Sequence, residues 1–165
     1  MRKPLLSLFL LTIFTAAGLA SASAQDVRTG HSGLPVPRFV NLKNAETWGR
    51  IGPSFEHPVK YVFNRRDLPL QVVAETRDNV WRQVRDLDGV TTWVHRSQLV
   101  SSDMVLVNRE GGVLLRKQPD PAADGRALLD NGVIVKKELC ERRWCRVRTD
   151  NYRGWVPENA LWGVN

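Results

Sequence analysis

Apolar and polar positions alternate in short runs along most of the chain, and no stretch keeps the helical period over the roughly 11 residues a helix needs. Phe39-Val40-Asn41-Leu42 reads as a first strand and Trp48 to Ile51 as a second. Gly52-Pro53-Ser54-Phe55-Glu56-His57-Pro58 then forces a loop, and Tyr61-Val62-Phe63 returns as a short strand or turn. Leu70 to Glu75 and Trp81 to Arg85 read as the arms of a hairpin, with Asp88-Gly89 as the next turn. Thr92-Trp93-Val94 is a further strand, and Arg96 to Leu99 a single tight helical turn.

The same pattern then runs again. Trp81, Val84 and Arg85 recur as Trp144, Val147 and Arg148 at a shift of 63, while Trp93, Val94 and Leu99 recur as Trp155, Val156 and Leu161 at 62. One deletion in a turn reconciles them. Upstream, Arg50 and Pro53 match Arg116 and Pro119 at 66, and the loss of three residues before Val133 brings that residue to Leu70 at 63. In this copy Met104 to Asn108 is the first strand, and Val113 to Arg116 leads into Lys117-Gln118-Pro119-Asp120-Pro121. Val133 to Cys140 and Trp144 to Thr149 form the hairpin, and the turn Asn151 to Gly154 precedes Trp155-Val156. Short strands at this spacing with polar turns predict an all-β chain of two tandem small barrels or sandwiches, residues 38–100 and 104–165. Each unit is about 60 residues, a size at which one core gives marginal stability. Residues 100 to 103 are the whole connection, so the units are expected to touch.

Ahead of the repeats, Met1-Arg2-Lys3 is positive, Leu5 to Ala17 is almost wholly apolar, and Ala22-Ser23-Ala24 supplies the small residues a signal peptidase reads. Residues 1–24 are therefore expected to be a cleaved secretory signal, the apolar run being shorter than the roughly 20 residues of a membrane span. No cysteine follows the cut to carry a lipid. Residues 25–37, with Gly30, Gly33, Pro35 and Pro37 and no apolar periodicity, read as a flexible leader. The expected product is periplasmic or secreted, without stable membrane insertion.

The chain carries a net +7, and without Arg2 and Lys3 it holds 22 basic against 17 acidic residues, a net +5. The excess is spread over both units. A nucleic-acid footprint would be a dense stripe, so no nucleic-acid partner is expected. Mild attraction to anionic envelope polymers, or a merely solvated basic surface, accounts for the charge.

Cys140 and Cys145 enclose Glu141-Arg142-Arg143-Trp144. In an oxidising compartment two nearby cysteines usually pair, and a four-residue hairpin loop would set them directly opposite. A free thiol pair or a metal site are the alternatives, although Cys-x4-Cys with three histidines in the chain is poor metal spacing.

Strand parity bears on the tryptophans. Trp144 and Val147 are three apart, and Trp155 and Val156 adjacent, so each pair faces opposite sides of its strand; Trp81 with Val84 and Trp93 with Val94 repeat this. If the valines fill the barrels, the indoles look outward. They then either line a ligand groove on each unit, or cover an open barrel end and the contact between units.

Both repeats resemble the bacterial SH3-like (SH3b) domain family. The second carries its Trp-x-x-Val, Gly-Trp-Val and leucine at Trp144, Val147, Gly154, Trp155, Val156 and Leu161; in the first, Thr92 replaces the glycine, and Leu68-Pro69 resembles the family's strand lead-in. The resemblance covers Arg38 to Val164 and implies an envelope binding or scaffold role, without catalysis or cofactor, toward cell-wall peptide or an envelope protein. An accessory subunit of an envelope enzyme, or a wall hydrolase, is the alternative. Trp155-Val156-Pro157-Glu158-Asn159 is similar to the segment with which eukaryotic SH3 domains build a groove for proline-rich peptides, and by that match Trp144, Trp155, Pro157 and Asn159 would line a groove. The first unit offers Trp81 and Trp93 but has His95 and Ser97 at the positions of Pro157 and Asn159. A tyrosine-rich first loop is missing from both. For catalysis the candidates are thin: His31 falls in the leader, His57 in a loop and His95 in the tight turn, and no motif supplies a nucleophile with an oriented base.

Overall fold

A computed structural model of the protein describes residues 27–164; the expected signal, residues 1–24, lies outside the described residues. The chain opens with a two-stranded hairpin, β1 (Arg28–Thr29) and β2 (Pro35–Val36). The first module follows as β3 (Arg38–Leu42), β4 (Thr47–Arg50), β5 (Val59–Phe63), β6 (Pro69–Glu75), β7 (Trp81–Arg85), β8 (Thr91–His95) and β9 (Leu99–Val100). The second is β10 (Met104–Val107), β11 (Val113–Arg116), β12 (Gly125–Leu129), β13 (Ile134–Glu141), β14 (Trp144–Arg148), β15 (Arg153–Pro157) and β16 (Leu161–Trp162). Single 3-10 turns, Arg96–Gln98 and Glu158–Ala160, precede the last strand of each. The two antiparallel sheets have one topology, β5-β4-β8-β7-β6-β3-β9 and β12-β11-β15-β14-β13-β10-β16.

Each sheet bends around its own core, because alternate residues of its strands are β-branched or leucine and point to one side. Val40, Leu42, Leu70, Val72, Val84 and Val94 fill the first core, and Val105, Val107, Leu115, Val135, Val147 and Val156 lie in the second.

Two sequence expectations change. Residues 28–36, expected to be flexible leader, form the β1–β2 hairpin, and Val36 is buried in the first core. The glycines and prolines there are turn chemistry: Gly33 has φ +79 and its N–H donates to the Gly30 carbonyl. The repeat alignment also shifts. Leu42 pairs with Leu99 and Val107 with Leu161, so Val107 stands where Leu42 does, a shift of 65. Val40 pairs with Leu70 and Val105 with Val135; the counterpart of Leu70 is therefore Val135 and not Val133. Two of the residues placed ahead of Val133 are instead lost in the following hairpin, where six residues separate the paired Glu75 and Arg82 but four separate the equivalent Cys140 and Cys145. Strand β12 had no sequence signal, since most of its five residues face solvent.

One substitution that looked like a departure is reciprocal. Gly49 lies against Thr92, whose side chain a Cβ on Gly49 would meet at 2.5 Å, whereas in the second module Leu115 replaces Gly49 and Gly154 replaces Thr92. A Cβ on Gly154 would lie 2.9 Å from the Leu115 side chain. Small faces large in both modules, with the two strands exchanged.

The modules touch directly. Asn41, 2% exposed, donates from Nδ2 to the carbonyls of Asp67 and Met104, at 2.9 and 2.8 Å, and accepts from Ser102 Oγ at 2.7 Å. Trp162 Nε1 donates to the Pro69 carbonyl at 3.2 Å, and its ring meets Phe39 edge-on at 4.8 Å. Asn41 thus satisfies a side-chain amide in a place where solvent is excluded, and ties the linker to β3.

Candidate functional site

Val84, Val94, Val147 and Val156 are fully buried in the two cores, and none of Trp81, Trp93, Trp144 and Trp155 belongs to either core cluster. The indoles are therefore placed by strand parity on the outer side of each sheet, but they do not share one environment.

In the second module Trp144 opposes Pro157 across β14–β15, and Asn159 sits on the 3-10 turn that follows. These three line a cleft of about 850 Å³. Its remaining wall includes Trp162 and, from the first module, Phe39 and Arg85. The cleft thus lies between the modules. Arg142 and Arg143 also line it, from a two-residue turn in which both have positive φ, +49 and +64. That is the geometry a tight hairpin between twisted strands requires. The Arg143 carbonyl accepts from the Glu158 N–H at 2.9 Å, which fixes the turn to the far wall.

Trp155 is elsewhere. It pairs across strands with Arg146 and Arg116, and the Arg146 guanidinium lies 5.8 Å from its ring centre. Arg146 Nε and Arg153 Nε both donate to Glu138, at 3.0 and 2.7 Å, with Arg148 3.9 Å away. The Arg153 hydrogen bond, against a smaller opposing effect of desolvation, holds the Glu138 carboxyl below its ordinary range. Trp155 and its arginines form a ladder on the sheet face, apart from the cleft residues.

The matching groove of the first module is occupied by its own chain. Phe55, from the loop after β4, packs edge-on against Trp81 at 4.9 Å and tilted on His95 at 5.4 Å, which leaves Trp81 only 6% exposed. What remains is a shallow pocket of about 300 Å³, lined by Trp48, Arg50, Trp81, His95 and Ser97, without Trp93. The loop is held in place by Arg50, which donates to the His57 carbonyl at 2.6 Å, just as Arg116 donates to that of Ala123 in the second module. The second loop carries no aromatic residue, so Trp144 has no such cover.

The hairpins behind the two grooves are locked differently. Cys140 pairs across strands with Cys145, as expected, with Cα atoms 4.1 Å apart and a disulfide between them; the turn has two residues where a four-residue loop was expected. The same place in the first module holds Glu75 opposite Arg82. Glu75, its side chain 1% exposed, pairs with Arg38 at 2.7 Å and Arg82 at 3.1 Å, and accepts from the N–H and Oγ of Ser32, both at 2.8 Å. Burial pushes its carboxyl up, but the Ser32 hydrogen bonds and Arg38 outweigh this and leave it below the ordinary value. The N-terminal hairpin is thereby pinned to β6.

Sequence reasoning missed Phe39, Arg85 and Trp162 as cleft residues. Trp162 had a signal: it stands where the first copy has Val100, an aromatic without a counterpart.

The profile described as bacterial SH3 domain matches twice, over residues 43–100 and 109–163. The chain belongs to the bacterial SH3 domain family. Both SH3 modules match on the same strands and in tandem, as their common sheet order requires. No curated protein sequence matches the chain. Among solved structures it is similar to NlpC2 from Trichomonas vaginalis, at 12% identity and TM-score 0.34 over 77% of this chain and 48% of that one. NlpC1 from the same organism is similar at 13% identity and TM-score 0.34, over 90% and 50%. The chain spans about half the length of these structures. Among the described residues, no helix is long and apolar enough to cross a membrane.

Proposed function

We propose that this tandem SH3 protein is an exported, non-catalytic binding protein of the cell envelope, and that the cleft between its modules receives cell-wall peptide. The observation that carries the proposal is the cleft itself. Its volume of about 850 Å³ suits a short extended chain, and apolar rings stand beside backbone and side-chain polar groups along its wall. Trp144 and Trp162 supply flat apolar area at little conformational cost, and Asn159 a two-way hydrogen-bonding amide.

A non-catalytic role is supported by the histidines. His57 Nδ1 lies 2.9 Å from Ser54 Oγ and His95 Nδ1 2.7 Å from Ser97 Oγ, each within its own turn. The Ser97 N–H also points at His95 Nδ1, the arrangement of a helix cap, and no carboxylate among the described residues is hydrogen-bonded to either ring.

Co-sedimentation of the purified protein with isolated sacculi tests the proposal. The protein is expected in the pellet, the Trp144→Ala variant in the supernatant, and the turbidity of the sacculi unchanged. A protein that stays in solution but captures one envelope protein on crosslinking would be an adaptor instead; clearing of the sacculi would make it a hydrolase.

A further inference from the structure

We infer that the cleft is an anion site, in which Arg85 of the first module and Arg142 and Arg143 of the second receive the carboxylates of one acidic peptide. A single ligand is then held by both modules at once. This rests on the reading of the cleft as the peptide site and adds the chemistry that selects the peptide.

Three guanidinium groups line this cleft, against Glu158 as the acid on its wall. Among the described residues none of the three makes a side-chain hydrogen bond or ion pair, so their charge is uncommitted. The contrast within the molecule is direct. Arg148, the repeat counterpart of Arg85, stands beside Glu138, and Arg38 and Arg82 are spent on Glu75. Cations gathered in excess over acids repel one another, and an anionic ligand relieves that repulsion. Guanidinium is also the group that meets a carboxylate with two parallel N–H donors.

The turn that carries Arg142 and Arg143 is preorganised in its backbone. Their backbone is fixed by the tight hairpin, by the Cys140–Cys145 bond one pair behind, and by the Glu158 N–H on the Arg143 carbonyl. Ordering that is complete before binding does not weaken binding. Trp144, Trp162 and Phe39 give the same cleft apolar walls, which suits a peptide that carries carboxylates better than a bare polyanion.

Calorimetric titration of the full protein tests this with a synthetic stem tripeptide of alanine, glutamate and lysine, once with free carboxyls and once with both amidated. Amidation is expected to weaken binding about tenfold or more, the size of a lost charge-assisted hydrogen bond. Arg85→Gln should weaken the free-acid form by a similar factor and the amidated form far less, with Arg143→Gln behaving alike; the thermal midpoint of each variant checks its fold. If both peptides bind equally and Trp144→Ala abolishes both, the cleft reading stands and the anion inference fails. A loss on Arg85→Gln that is equal for the two peptides also overturns it. Failure of the free-acid peptide to bind overturns it as well, and the sedimentation result then judges the cleft separately.

Discussion

The two modules share a sheet order and a repeat pattern, yet the same ladder position holds an ion pair in one and a covalent bond in the other. Glu75 opposite Arg82 and Cys140 opposite Cys145 both clamp the hairpin behind a groove. The difference follows from what covers each. The N-terminal hairpin lies over Glu75 and brings Ser32 to it, so a buried charge there is fully hydrogen-bonded. The second module has no such cover, and a cross-link that needs no partner serves instead. The grooves differ in the same spirit. Phe55 closes the first over Trp81, while the second opens toward its neighbour. The sequence repeat gives two frames, and the first contributes Phe39 and Arg85 to the wall of the cleft that the second opens.

The largest break in this comparison comes from Glu75. Replacing it with alanine strands Arg38 and Arg82 in a buried place and frees Ser32, which should cost about 3–5 kcal/mol of stability by denaturant titration. A cost no larger than that of reducing the disulfide would mean that Glu75 does not hold Arg38 and Arg82 as a buried, fully paired charge cluster. Next is the exchanged pair. Gly154→Thr drives a side chain into Leu115 and should cost about 1–3 kcal/mol, whereas the same change with Leu115→Gly recreates the first module's arrangement. The double variant should cost less than the sum of its two single changes; strict additivity would mean that the two positions do not share one space.

Reduction of Cys140–Cys145 should remove about 2 kcal/mol, the loop-entropy contribution of so short a loop. It should also weaken binding of the peptide proposed for the cleft, because the freed hairpin carries Trp144 and both turn arginines. The smallest effect is that of acid. The Glu75 carboxyl lies below its ordinary value of 4.5 in the folded protein, so its contribution is complete above that pH and is lost as pH falls through the depressed folded value. Stability should therefore fall as acid protonates Glu75, and Glu75→Gln should flatten that part of the dependence.

Most of the frame was legible from the chain. Period-two runs and the recurring tryptophan and valine pairs gave the strands; strand parity set the valines opposite the indoles, and the cores show that Val84, Val94, Val147 and Val156 are the inner set. Turn length was not legible: polar residues on either side of Arg142-Arg143 look alike whether two residues turn or four, so the shift at Leu70 was misplaced by two. The N-terminal hairpin was hidden because its strands have two residues each and only Val36 reaches the core. The cleft was half visible. Trp144, Pro157 and Asn159 follow from the motif, but Phe39 and Arg85 enter only through the packing of one module on the other, which no local pattern encodes. Phe55 shows the same limit, since an aromatic residue in a loop does not announce the groove it fills.

The most direct test of the cleft as the working surface is sedimentation with sacculi for the wild type beside Trp144→Ala and Trp155→Ala. These tryptophans lie on the same strand pair, one in the cleft and one on the arginine ladder. The account predicts that Trp144→Ala loses binding while Trp155→Ala keeps it; binding that survives the first change and vanishes with the second would contradict it.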